Sequence, residues 1–310
     1  MVNRVQTGRV VGLRSLIGRY QLTSFFVLAL GLSWIAWTPY VLSKNGIGAE
    51  DFEFPEVLGT SQFLGMLPGA YLGPICAAFI VTAVAGGRPG LRRWAGRLLR
   101  WRVNWKWYVL AVVGVPVALI IGSIPFAGLE NMAVPPAMVL VSIVPGLVLQ
   151  VLTTGIAEEP GWRDFALPLM QPRFGPLLGT VLLGVIWGIW HLPLFLTEWG
   201  GYPNVTWVDP VEFTISCIAI SIVMTWVFNR TGESLPIALL LHGSINNFFS
   251  IAWGFIFPTL GDSHRASAHI ILVVFGAAAC VLLVTTRGRL GYKPSDVETD
   301  TPDATMRASA

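Results

Sequence analysis

Two adjacent carboxylates and an arginine, Glu158, Glu159 and Arg163, stand in a stretch otherwise apolar enough for lipid. A charge at the bilayer centre costs about 2.5–3.5 kcal/mol or more, so ionisable groups there mark functional sites. Two later apolar segments each carry one histidine, His191 and His242. Glu159 precedes Arg163 by four residues, on one helical face and in the favourable acid-then-base order. A low dielectric draws such a pair into close, hydrogen-bonded contact. Glu158 points about 140° away from Arg163 and is left free to act as a base. Trp187 lies one turn before His191, where an aromatic ring can pack on the imidazole and hold its rotamer. His242 and Asn246 share a face, and Gly243 between them permits close approach of a backbone or a substrate. The competing reading puts both carboxylates in a solvated loop, which Pro160-Gly161 also allows.

The chemistry that such a set supports is hydrolysis. A carboxylate withdrawn from water among helices can take a proton from a water molecule. Two imidazoles beside it can hold Zn²⁺ or another divalent metal, with Glu158, His191 and His242 as donors, or can hydrogen-bond the water directly. A histidine and an asparagine on one face can stabilise a tetrahedral oxyanion. The soluble-type zinc protease motif HExxH is absent. His264, His269, Glu198, Asp209 and Glu212 sit near segment ends and are expected to be solvated, and Asn247 is expected to bond between helices.

The elements that must position these residues are membrane helices. The chain has 310 residues, 54% hydrophobic and 12% charged, with mean hydropathy +0.66. A soluble domain carries about 25% charged residues. The expected fold is an all-α, polytopic membrane helix bundle of about eight spans, near 22–43, 63–86, 107–127, 135–157, 175–196, 210–229, 234–256 and 268–286. The chain divides into a basic N-terminal segment 1–21, a bundle over 22–286 and a polar tail 287–310 expected to be disordered. Gln171-Pro172-Arg173-Phe174-Gly175-Pro176 is a strong turn signal. If the fourth helix runs on to about Met170, Glu158 and His191 each lie roughly 22–25 Å from that turn and can face each other at one depth.

Basic residues crowd on one side of an eight-span chain: Arg4, Arg9, Arg14 and Arg19, the loop with Arg88, Arg92, Arg93, Arg97, Arg100, Arg102 and Lys106, then Arg163, Arg173, Arg230 and the tail. Both termini are therefore expected in the cytoplasm of a multi-pass cell-membrane protein. Trp94, Trp101, Trp105, Trp107, Trp199 and Trp207 read as an interfacial belt. Net charge of only +3 disfavours nucleic acid as a partner. Cys76, Cys217 and Cys280 fall in separate apolar segments and imply no disulfide and no metal site. No internal repeat is visible, which argues against a transporter built on inverted repeats.

These motifs resemble the CPBP family of CAAX-protease and bacteriocin-processing intramembrane endopeptidases, whose pattern is EExxxR, then FxxxH, then HxxxN/D. The matches are Glu158, Glu159 and Arg163; His191; and His242 with Asn246, within a core of about 135–256. Trp187 stands where the family usually has Phe, and Asp164 where Gly is common. The resemblance implies that Glu158 activates water with His191, that His242 and Asn246 bind the oxyanion or a metal, and that Glu159 and Arg163 hold the architecture. It implies an intramembrane (metallo)endopeptidase cleaving a membrane-embedded or membrane-associated peptide or protein. The alternative is a non-catalytic immunity or scaffold protein on the same fold. An Ala/Gly/Arg/Trp-rich composition suggests a GC-rich bacterial source.

Overall fold

The computed structural model describes residues 12–260 and 264–294. Arg4, Arg9, Arg307 and the tail from 295 lie outside the described residues. Among the described residues, eight helices are long and apolar enough to cross a membrane: α1 (Gln21–Leu42), α2 (Gln62–Leu99), α3 (Trp105–Ala127), α4 (Ala137–Phe174), α5 (Pro176–Leu196), α6 (Val208–Arg230), α7 (Leu235–Ile256) and α8 (Arg265–Thr286). A short helix, Leu13–Arg19, precedes them. The protein is an all-α, multi-pass membrane protein, with no strand among the described residues beyond one isolated bridge, Val57 to Thr60.

Burial separates inner helices from outer ones. The apolar window of α7 is 72% buried, whereas those of α3 and α8 are 22% and 17%. Helix α4 divides along its length. Its first half faces outward, while 157–167 is buried throughout. The two halves form one 38-residue helix, as the turn arithmetic required. Pro160 removes one rung of the helical ladder, and two π-helical turns, Val151–Gly155 and Trp162–Ala166, flank the Glu158–Gly161 stretch. Such bulges frequently mark functional sites.

Glycines set two of the closest approaches. A Cβ on Gly184 would stand 2.6 Å from the Ile218 Cα, and one on Gly188 would stand 2.8 Å from the Thr214 Cα. Small residues four apart therefore let α5 lie directly on α6. A Cβ on Gly161 would meet the Pro74 carbonyl at 2.7 Å, so α4 and α2 touch at the carboxylate turn. Gly243 serves the same purpose. Its missing side chain admits Val151 and Leu147 of α4, at 3.2 and 3.4 Å, and not a substrate.

The basic stretch after the second span is helical, not a loop. At Gly87 (φ 56°, ψ −155°) the chain kinks and continues as a helix to Gly96, with a last 3-10 turn at Arg97–Leu99. Only glycine enters that backbone region readily.

Polar groups at the span ends pair instead of being merely solvated. Glu198 accepts from the Tyr40 hydroxyl at 3.2 Å and from Asn45 Nδ2 at 3.3 Å, and also bonds Ser61. Asp209 pairs with Arg265 at 3.3 Å and Glu212 with His269. The side chain of His264 lies outside the described residues. The three cysteines are unpaired.

Candidate active site

Helices α4, α5 and α7 bring the sequence motifs together. The side chains of Glu158, Glu159, Arg163, Trp187, His191 and His242 are all buried. The Gly175 turn (φ 78°) folds α5 back along α4 and sets Trp187 against Glu158, whose Oε2 accepts the indole N–H at 2.7 Å. His191 sits one turn further along and makes no hydrogen bond to Glu158. The pair that faces across the two helices is thus Glu158 and Trp187, in place of the expected Glu158 and His191, which lies adjacent.

Trp187 touches Glu158, Arg163, His191 and His242. Its ring lies 5.4 Å from His242 and 5.9 Å from His191. The Arg163 guanidinium lies over it at 4.6 Å, a cation–π contact that desolvation strengthens. Trp187 packs on His191 as a ring, and its backbone adds a second contact. His191 Nδ1 donates to the Trp187 carbonyl at 2.8 Å.

The two glutamates divide as their spacing requires. Glu159, fully buried, accepts from His242 Nδ1 at 2.6 Å and pairs with Arg163 Nε at 3.3 Å. That second contact is an ion pair without hydrogen-bond geometry, unlike the bonded pair expected. Arg163 directs Nη2 to Ser221 Oγ at 3.2 Å and lies 3.3 Å from Met224 Sδ.

Both imidazoles therefore give Nδ1 to an acceptor fixed by the protein. Their Nε2 atoms, and Glu158 Oε1, have no protein partner among the described residues. Neither are those atoms sealed away as orphaned polar groups. Asn246, half-buried one turn beyond His242, is bonded to none of the others. Asn247 donates to the Ile143 carbonyl at 3.0 Å, the interhelical role expected of it.

No group of three His, Cys, Asp or Glu side chains among the described residues converges so as to hold a metal ion. Glu158, His191 and His242 form no such group. The donor set that the sequence offers for Zn²⁺ does not fit a metal in this arrangement.

Sequence reading missed several neighbours. Trp199, assigned to the interfacial belt, stacks on His191 with centroids 5.6 Å apart and planes 13° from parallel. Trp190 and Phe213 meet the same imidazole edge-on at 4.6 and 4.8 Å. Trp94 donates to the Pro160 carbonyl at 3.0 Å. Asp164, the departure from the family pattern, pairs with Arg97 at 2.5 Å. Only Asp164 carried a signal, a carboxylate beside Arg163 in an apolar stretch.

Residues 140–248 match a family described as type II CAAX prenyl endopeptidase Rce1-like. That window contains Glu158, His191, His242 and Asn246. A protein of Methanococcus maripaludis called CAAX prenyl protease 2 is 26% identical over 191 residues, 58% of this chain and 69% of that protein.

Proposed function

We propose, from the premise that this chain belongs to the CAAX-protease (CPBP) family, that it is an intramembrane endopeptidase whose water is activated by Glu158. The observation that carries this reading is the set of three polar atoms with no protein partner among the described residues, Glu158 Oε1 and the Nε2 atoms of His191 and His242.

In the proposed step, Glu158 Oε1 takes a proton from water as the water oxygen bonds to the substrate carbonyl carbon. His191 Nε2 accepts the water's second hydrogen and orients it. In its protonated form, His242 donates from Nε2 to the developing oxyanion, and the Asn246 amide is a second donor. Glu158 then passes its proton to the leaving nitrogen as the carbon–nitrogen bond breaks. Glu159 and Arg163 keep His242 aimed. No step is routed through a metal.

The substrate proposed is a membrane-anchored peptide or protein. The relative's name speaks of a prenyl protease, and a lipidated peptide is the natural first probe. Both termini are assigned to the cytoplasm from the distribution of basic residues.

The test compares purified wild type with Glu158→Gln in detergent on membrane-anchored peptides, read by mass spectrometry with and without chelator. Cleavage is expected in wild type and lost by about 10²–10⁴-fold in the variant. Cleavage by the variant at the wild-type rate would exclude Glu158 as the base. Loss with chelator, restored by Zn²⁺, would require a metal-loaded arrangement of the same residues.

A further inference from the structure

We propose that the outer face of residues 87–99, built on Arg88, Arg92 and Arg93, is a docking surface for anionic phospholipid headgroups. The kink at Gly87 (φ 56°) ends the apolar run and redirects the chain into a two-faced helix. Gly90, Leu91, Trp94, Arg97 and Leu98 recur every three or four residues and turn inward. Arg88, Arg92, Arg93 and Leu99 are exposed.

The cations on the two faces are used differently. Arg97, on the inner face, is committed to Asp164 at 2.5 Å and Glu233 at 2.9 Å. Arg100 reaches the Gly232 carbonyl at 2.6 Å. Arg88, Arg92 and Arg93 have no acceptor among the described residues. Beside them Leu99, Trp101 and Trp105 are 77%, 53% and 67% exposed. Unpaired arginines mixed with exposed tryptophan, directly after a membrane span, match the charge and polarity of an anionic headgroup layer.

The inner face is bonded to the proposed catalytic turn. Trp94 donates to the Pro160 carbonyl at 3.0 Å, and Arg97 donates to the Asp164 carbonyl at 2.9 Å. Lipid seated on the outer face therefore braces the turn that carries Glu158 and Glu159, and should raise the unfolding temperature.

The experiment titrates the purified full chain in detergent with phosphatidylglycerol, with phosphatidylcholine of the same acyl chains, and with inorganic phosphate. Bound lipid is counted by native mass spectrometry and the unfolding midpoint is followed. Phosphatidylglycerol is expected to bind and raise the midpoint, and the other two are not. Arg88→Gln/Arg92→Gln/Arg93→Gln is expected to keep the lipid-free midpoint and lose the preference on the order of a hundredfold. The single variants Arg92→Gln and Arg93→Gln serve if the triple fails to fold, each losing about fivefold. Equal binding of the two lipids, the same rise with phosphate, or an unchanged preference in the variants would overturn the proposal. The readout is binding, so its outcome is independent of peptidase activity.

Discussion

At the scale of single residues, the roles proposed for the adjacent glutamates rest on one hydrogen-bonding difference. Glu159 is enclosed by Arg163 and His242, whereas Glu158 keeps one oxygen free. Glu159→Gln leaves a buried guanidinium without its counter-ion, and breaking such a pair costs about 3–5 kcal/mol. The expected result is a markedly lower unfolding midpoint in detergent, whereas Glu158→Gln melts close to wild type. Equal midpoints for the two variants would contradict this division.

Trp187→Phe keeps the ring but removes the N–H that Glu158 accepts. A hydrogen bond to a charged group contributes about 1.5–3 kcal/mol. Peptide cleavage is expected to slow by about 10- to 100-fold while the midpoint changes little. The family pattern usually has Phe at this position, so retention of some activity is expected. Full wild-type activity would mean that the N–H does not orient the carboxylate.

At the scale of helices, backbone proximity decides where the residues meet. Residue types and spacing announced the turn at Gly175, the Glu159–Arg163 face and the His242–Asn246 face. They put His191 of α5 opposite Glu158, where the structure has Trp187. That depends on how α5 seats against α4, where a Cβ on Gly179 would meet the Met170 carbonyl at 3.2 Å, and against α6, where Gly184 and Gly188 make the close approach. Gly188→Val places a branched side chain against Thr214, and overpacking costs about 1–3 kcal/mol. Both stability and cleavage are expected to fall, because Trp187 and His191 move with the helix. Gly276→Val is the control, since nothing lies within 4 Å of a Cβ there.

The Arg97–Asp164 bridge belongs to the same scale. Asp164 is nearly fully buried, with Arg97 as its ion partner. Arg97→Gln is expected to destabilise the protein more than Arg92→Gln, since the Arg92 side chain has no partner among the described residues. Comparing the two unfolding midpoints checks this, and equal midpoints would dismiss the bridge as a stabilising contact.

Across the whole molecule, contacts between distant loops support the eight-span alternation. Glu198 meets Asn45 and Ser61 at one end of the bundle, where Asp209 and Arg265 also pair. Arg97 and Arg100 meet Glu233, and Gln171 exchanges hydrogen bonds with Asn229, which reaches the Leu290 carbonyl. An odd number of crossings between those partners would separate them by the membrane. A cysteine placed at Asn204 is expected to react with an impermeant reagent in intact cells, and one at Arg92 only after lysis. The reverse pattern would invert the proposed polarity while leaving the alternation untouched.

Hydrophobic run length and charge segregation are local properties, so the all-α class, the number of spans and the limits of most of them could be read directly from the chain, whereas α2 and α4 run on to Leu99 and Phe174, past the expected ends at 86 and 157. The intramembrane ionisable residues stood out for a similar reason, since burying a charge without a partner is costly and each therefore marks a site. Helix continuity through Pro160 was decided by tertiary packing, because a π-turn can absorb the missing rung only where neighbours enclose it. The setting of Trp199 on His191, the seat of Arg97 on Asp164 and the opposition of Trp187 to Glu158 were decided in the same way. Each joins residues from different helices, and the relative sliding of two helices depends on side chains of both, which no single segment contains.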